Sequence, residues 1–180
     1  MSKTFALADH HFGHQNILRF EGANRNGGSL ACVEDHDDWL VLQHNKTVGK
    51  ADVTYFLGDV CFNMDRLETH VAKMNGTKHL ILGNHDKYDT VSMARYHRVF
   101  KTVSPMKYWK GWIMTHIPIH EQELKVSRKW AGNMHGHLHS ETICTHKPTF
   151  SELDATEDQY LNVCVEQSNG IPVRISRRES

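Results

Sequence analysis

Three short apolar runs in this chain end in residues that can hold a metal ion. Leu80-Ile81-Leu82 runs into Gly83-Asn84-His85-Asp86, Phe5-Ala6-Leu7-Ala8 into Asp9-His10-His11, and Val53-Thr54-Tyr55-Phe56-Leu57 into Gly58-Asp59. Each run has the length and apolar density of a buried strand. A glycine at the end of such a run lets the backbone turn sharply, so the polar groups after it stand just past the strand's carboxyl end. In open α/β sheets, ligands bind at that edge. Two later segments add imidazoles. His116 follows the apolar run 112–115, and Asn133-Met134-His135-Gly136-His137-Leu138-His139 carries His137 and His139.

Together these segments offer Asp9, His11, Asp59, Asn84, His116, His137 and His139. Carboxylate and imidazole donors in this mixture suit borderline divalent ions such as manganese, iron, zinc or nickel, whereas an all-oxygen set would favour magnesium or calcium. Seven donors exceed what one catalytic zinc uses. Two ions roughly 3.5–4 Å apart that share one carboxylate account for all of them and suit the displacement of a phosphoryl group. A cation lowers the pKa of a water it binds from 15.7 to about 7 in the best zinc case, which makes a nucleophile at neutral pH.

The elements that must position these residues are legible in part. Residues 1–9, 53–57 and 78–82 read as strands, and the order strand, helix, strand implies parallel pairing with a right-handed crossover. Helices are expected over 15–20, over 30–48 with Gly49 as a stop, over 64–74 with Asn63 as the cap, and over 89–96. Short strands follow over 99–103, 106–109 and 112–115, with Lys110-Gly111 as a tight hairpin turn, and two more over 160–165 and 172–175. The segment 21–29, rich in glycine and asparagine, reads as an exposed loop.

Composition narrows the function class without choosing it. The 180 residues fit one domain, 1–180, and 21 acidic side chains balance 21 basic ones, so bulk charge does not call for nucleic acid or a membrane; a local basic patch keeps nucleic acid open, and no membrane partner is expected. The four cysteines show no Cys-x-x-Cys spacing, no apolar run nears the roughly 18 residues of a membrane span, and no signal-peptide pattern opens the chain. These features fit a cytoplasmic protein with free thiols. Of the 15 histidines, His10 reads as a neighbour of the ligands and His135 as pointing away from them by strand alternation. His36, His44, His70, His79, His97, His120 and His146 have no motif around them and read as surface or core fillers. Arg19 and Arg25 could bind a phosphate or be solvated surface residues, and Lys125, Arg128 and Lys129 pose the same choice.

Asp9-x-His11, Gly58-Asp59, Gly83-Asn84-His85-Asp86, His116 and Gly136-His137-x-His139 resemble, in order, the five blocks of the calcineurin-like metallophosphoesterase superfamily. The opening Asp9-x-His11-Phe12-Gly13-His14-x-Asn16-Ile17 and the closing Asn133-x-His135-Gly136-His137-x-His139 are similar to its compact single-domain bacterial and phage phosphoesterases. The resemblance implies an α/β fold: a β-sandwich of two mixed sheets flanked by helices, in four layers α/β/β/α. It implies that Asp9, His11 and His139 hold one ion, that Asn84, His116 and His137 hold the other, and that Asp59 bridges them. It makes His85 the acid that protonates the leaving oxygen and Asp86 the group that orients His85, with His14 either near the substrate or behind the ligands, while a packed loop histidine is the other reading of His14. Asn45 stands where relatives show Trp-Asn, but His44 replaces the tryptophan. The expected activity is hydrolysis of phosphate esters with two divalent ions, manganese first. A small phosphodiester or nucleotide-like substrate is favoured because Gly58-Asp59-Val60-Cys61-Phe62 lacks the aspartate and arginine of the protein phosphatases. Alternatives are a protein or small-molecule phosphomonoesterase and a catalytically silent metal-binding interaction module.

Overall fold

The computed structural model describes residues 2–126, 129–143 and 159–177. In chain order they form β1 (Thr4–Leu7), α1 (Ile17–Glu21), α2 (Val33–Thr47), β2 (Val53–Leu57), α3 (Asp65–Thr69), β3 (Thr77–Ile81), α4 (Thr90–Val99), β4 (Thr102–Ser104), β5 (Lys107–Trp109), β6 (Trp112–Met114), α5 (Glu121–Val126), β7 (Gly132–His135), β8 (Tyr160–Asn162) and β9 (Val173–Arg174). Arg128, Cys144 and His146 lie outside the described residues.

The strands make two mixed sheets. One has the order β4-β3-β2-β1-β9, parallel except for β9, and the other has the order β5-β6-β7-β8, parallel except for β5. Alternation along the first sheet divides the core. Leu7, Phe56 and Leu80 point to a compartment shared with Trp39 and Leu40 of α2, Leu67 of α3 and Tyr96 of α4. Ala6, Tyr55, Leu57 and Ile81 point the other way, onto Trp112, Met114 and Met134 of the second sheet. Helices therefore cover one face of the first sheet and the second sheet covers its other face. Beyond β8 the chain crosses back: Ala8 N–H donates to the Val163 carbonyl at 2.8 Å, and Val165 N–H to the Ala8 carbonyl at 3.1 Å. This bridge ties the two sheets together at the end where their parallel strands finish.

Local chemistry sets most boundaries. Lys110 and Gly111 both adopt positive φ, 47° and 90°, the pairing a two-residue hairpin demands, and β5 and β6 are joined there. Asp89 caps α4 by accepting from the amides of Val91 and Ser92 at 3.0 Å. Three expectations shift. The helix expected over 30–48 starts at Val33, capped by Cys32, and ends because Val48 turns extended, not because Gly49 adopts a left-handed cap. The helix expected over 64–74 is α3 followed by a separate 3₁₀ turn, Val71–Lys73, since His70 leaves helical geometry. Asn45 is structural: its carboxamide accepts from Asn75 N–H at 2.7 Å and donates to the Lys73 carbonyl at 3.1 Å.

Several histidines without a motif are core residues. His10 and His44 stack on Phe56 with centroids 4.8 and 5.8 Å away, and His36 is fully buried. Among the described residues, no helix is long and apolar enough to cross a membrane.

His44 yields a pH prediction. Its Nε2 donates to the Asn75 carbonyl at 3.1 Å. Burial, opposed by that bond and reinforced by the nearby Lys78 ammonium, pulls its pKa down to about 4. An unfolded imidazole titrates near 6.5, so between the two values the unfolded chain binds a proton that the native chain refuses. Stability is expected to fall as pH drops from about 6.5 to about 4, at up to about 1.4 kcal/mol per pH unit for this residue. His44→Gln should flatten urea-unfolding stability against pH by that slope. An unchanged slope would refute the assignment.

Candidate metal centre

Asp9, Asp59 and Asn84 leave the carboxyl ends of β1, β2 and β3, while His116, His137 and His139 follow β6 and β7. Both sheets thus end at one edge. The chain turns there at a conformational cost. Eight described non-glycine residues have positive φ, and five of them are Asp9 (59°), His11 (55°), Asp59 (52°), His137 (71°) and His139 (50°). Left-handed backbone at bulky residues costs about 1–3 kcal/mol each and collects where a site over-determines the geometry. Glycines make the space. Gly58 has φ +88°, and a Cβ on it would stand 2.5 Å from His116 Nδ1, while a Cβ on Gly136 would overlap the Asp9 carboxylate.

The donor atoms fall into two groups, Asp9 with His11 and His139, and Asp9 with Asp59 and His116. His11 Nε2 lies 3.6 Å from Asp9 Oδ1 and 3.8 Å from Asp59 Oδ2. His139 Nε2 lies 3.8 Å from Asp9 Oδ1, and His116 Nε2 lies 3.4 Å from Asp59 Oδ2. Such gaps are too long for hydrogen bonds and near the spacing of ligands around one ion, given ion–ligand bonds of about 2.0–2.2 Å. Asp9 Oδ1 and His11 Nε2 are buried and have no hydrogen-bond partner. Two facing orphans of this kind ask for an ion between them, so the residues fit a divalent metal.

Each candidate ligand is aimed by its other atoms. His116 Nδ1–H donates to the Leu57 carbonyl at 2.8 Å, which turns Nε2 toward Asn84 Oδ1, also at 2.8 Å. His139 Nδ1–H donates to Glu166 Oε1 at 3.0 Å, leaving Nε2 for the site. Asp9 Oδ2 accepts from His137 N–H at 2.7 Å and from the Cys164 thiol at 3.1 Å. Such outer partners set the tautomer and orientation of metal ligands. His137 joins neither group; its ring stands edge-on to His116, with centroids 5.2 Å apart. Asp9, and not Asp59, is common to both groups.

Electrostatics follow this arrangement. Burial opposes ionisation of Asp9, but the imidazoles of His11, His116 and His139 hold its carboxyl well below the usual range. His116 goes the other way: burial opposes its charge, yet the Asp59 and Asp9 carboxylates raise it to about 9. Burial lowers His11. His139 is also opposed by burial and is raised by Glu166.

Beside these donors lies a cleft of about 420 Å³, lined by His11, His14, Phe20, Phe62, His85 and His139. His85 is exposed, and its backbone N–H donates to Asp59 Oδ1 at 2.8 Å.

Two expected roles are corrected. Asp86 was expected to orient His85, but its carboxylate accepts from the amides of Asp59 (3.0 Å), Gly83 (2.8 Å) and Val60 (3.1 Å), and among the described residues none of its hydrogen bonds reaches the His85 ring. It fixes the loops after β2 and β3. Arg25 is fully buried and cannot meet substrate: it donates to the carbonyls of Asp9 (2.8 Å) and His10 (3.0 Å), and its guanidinium pairs with Glu166. Arg19 is exposed on α1 and does not line the cleft, whereas His14 does. Sequence reasoning missed Glu166 and Cys164. The signal was present, because Val163-Cys164-Val165-Glu166 is one more apolar run ending in a carboxylate.

No family model matches the chain. Over 91 residues, 49% of this chain and 49% of the relative, it is 32% identical to an uncharacterized protein of Methanocaldococcus jannaschii. Over 90 residues, 48% of this chain and 41% of the relative, it is 32% identical to the gene 66 protein of Mycobacterium phage L5. The chain spans half or less of the length of these curated relatives. The crystal structure of a protein of unknown function from Aquifex aeolicus superposes with a TM-score of 0.69 at 20% identity, covering 97% of this chain and 96% of that one. This likeness shows a shared fold.

The shared carboxylate yields a binding prediction. Calorimetric titration of manganese into chelator-stripped protein should give two sites per chain, with proton release near neutral pH because His116 must give up its proton. Asp9→Asn should lose both sites and His139→Ala only one. Glu166→Gln should weaken binding by about 10- to 100-fold, the usual cost of losing a carboxylate behind a ligating histidine. Two intact sites in Asp9→Asn would refute the shared role.

Proposed function

We propose that this chain is a phosphoesterase of the calcineurin-like metallophosphoesterase type that uses two divalent ions to hydrolyse a small phosphodiester or nucleotide-like phosphate ester. The observation that carries the reading is the pair of donor groups sharing Asp9, with Asp9 Oδ1 and His11 Nε2 buried and unpartnered at their junction. The likeness of the sequence blocks to that superfamily adds the order of the ligands along the chain. In this reading α5 forms the outer layer of a four-layer α/β/β/α arrangement, and manganese is the first choice of ion, before iron, zinc or nickel.

The ions, when bound, supply Lewis acidity and a water acidic enough to lose its proton near neutral pH. The chain supplies everything else. Asp9 and Asp59 hold negative charge where the ions sit, and His11, His116 and His139 present their Nε2 atoms because their Nδ1 atoms are engaged elsewhere. His85 stands on the cleft wall with its amide fixed to Asp59, so a phosphate at the ligands has an imidazole beside it. A protonated imidazole placed there can hand its proton to a leaving alkoxide, typically a gain of 10²- to 10⁴-fold. Asp86 holds the amides of Asp59 and Gly83 and so keeps the loops carrying Asp59 and His85 in register.

Hydrolysis of bis-p-nitrophenyl phosphate and p-nitrophenyl phosphate by purified protein tests the reading. Activity should require added manganese and disappear with chelator, with the diester preferred. His85→Ala should lower kcat by about 10²- to 10⁴-fold while keeping both manganese sites. Turnover that ignores chelation, or that survives His85→Ala at full rate, would overturn the proposal.

A further inference from the structure

From His11 outward the cleft is lined by a continuous run of rings. His11 and His14 lie 5.5 Å apart, His14 stacks face to face on Phe62 at 4.1 Å and 7°, and Phe20 follows at 6.1 Å from His14. Phe62 also touches the ring of His85, with centroids 4.9 Å apart. Ile17, also in the lining, is buried, while Phe20 is 64% exposed. The described lining contains no lysine or arginine, and Glu21 adds a carboxylate. A polyphosphate finds no lysine or arginine there, and Glu21 repels it. A flat, uncharged ring meets aromatic surface all the way from the ligands to the rim.

Resting on the phosphoesterase reading, we infer that Phe20, His14 and Phe62 form a stacking platform that selects phosphate esters carrying a planar ring of nucleobase size, with Phe20 the specificity-determining residue. The phosphate sits at the Asp9 and Asp59 ligands beside His85, and the ring lies along the wall. A volume of about 420 Å³ falls within the range of small-ligand pockets. Stacking of a base on an aromatic side chain tolerates any base, so the platform selects for ring over no ring.

Calorimetry with the full chain and saturating manganese separates the possibilities, using AMP and ribose 5-phosphate, which differ only by the base. AMP should bind roughly 5- to 150-fold tighter, the range that stacking on aromatic side chains gives. Phe20→Ala should bring the two ligands within about 2-fold of each other without changing the affinity for ribose 5-phosphate, and Phe20→Tyr should restore the preference. Because Phe20 is exposed, unchanged manganese stoichiometry serves as the check that the variant is folded. Equal, manganese-dependent binding of both ligands by the unsubstituted chain would overturn the platform and leave the phosphoesterase reading standing. A preference for AMP that survives Phe20→Ala would overturn the assignment to Phe20. Failure of both ligands to bind the manganese-loaded chain would overturn the platform and the phosphoesterase reading together.

Discussion

Asp9 carries a carboxylate that water does not reach. A buried charge is tolerated only when paired or coordinated, since its desolvation costs several kcal/mol. Much of the local architecture answers that demand. One oxygen receives the His137 amide and the Cys164 thiol, and the other faces the imidazoles of His11 and His139. The close backbone approach at Gly136 leaves no room for a side chain beside it. Imidazoles alone balance the charge only by holding protons, which is why His116 is pushed up to about 9. A divalent cation bound there would replace those protons with charge of the right sign and let every Nε2 act as a donor of electrons.

The outer support is as buried as the ligands. Arg25 reaches from the loop after α1 to the carbonyls of Asp9 and His10, and it meets Glu166, which also holds His139. His36 accepts from the same guanidinium and donates to Asp37, whose carboxylate also receives the amide of Gly13. One connected set of charges therefore runs from α2 through the loop after β1 to the segment after β8. Such a network holds geometry well only when each member is satisfied, and removing one partner strands the others.

The sequence revealed those parts of this design that depend on neighbours in the chain. Strands that end in polar residues were legible because an apolar run stops abruptly at Asp9, Gly58 or Gly83, and the hairpin was legible because Lys110-Gly111 admits positive φ. α2 was harder to read. Its buried face includes His36, Asp37 and His44, so the apolar stripe that marks a helix is interrupted by residues buried for their hydrogen bonds. Arg25 misled because glycine and asparagine around it signal exposure, while its partner Glu166 lies 141 positions away. Asp86 misled for a related reason: adjacency to His85 suggested a pair, yet the amides of Asp59, Val60 and Gly83 claim its oxygens. Positions of donors were readable; what each donor's second atom does was a property of the assembled fold.

The seam between Ala8 and the stretch Val163–Val165 joins segments about 155 positions apart, with the Cys164 thiol reaching Asp9 across it. Contacts of such long range form slowly and only after most of the polypeptide exists. A growing chain on the ribosome thus carries Asp9, His11 and Asp59 long before His137, His139 and Glu166 emerge. Until then the donor set is partial, and the two groups that share Asp9 assemble only once the segments carrying His139 and Glu166 have been made. A metal bound at these donors would therefore be held firmly only after that seam has closed.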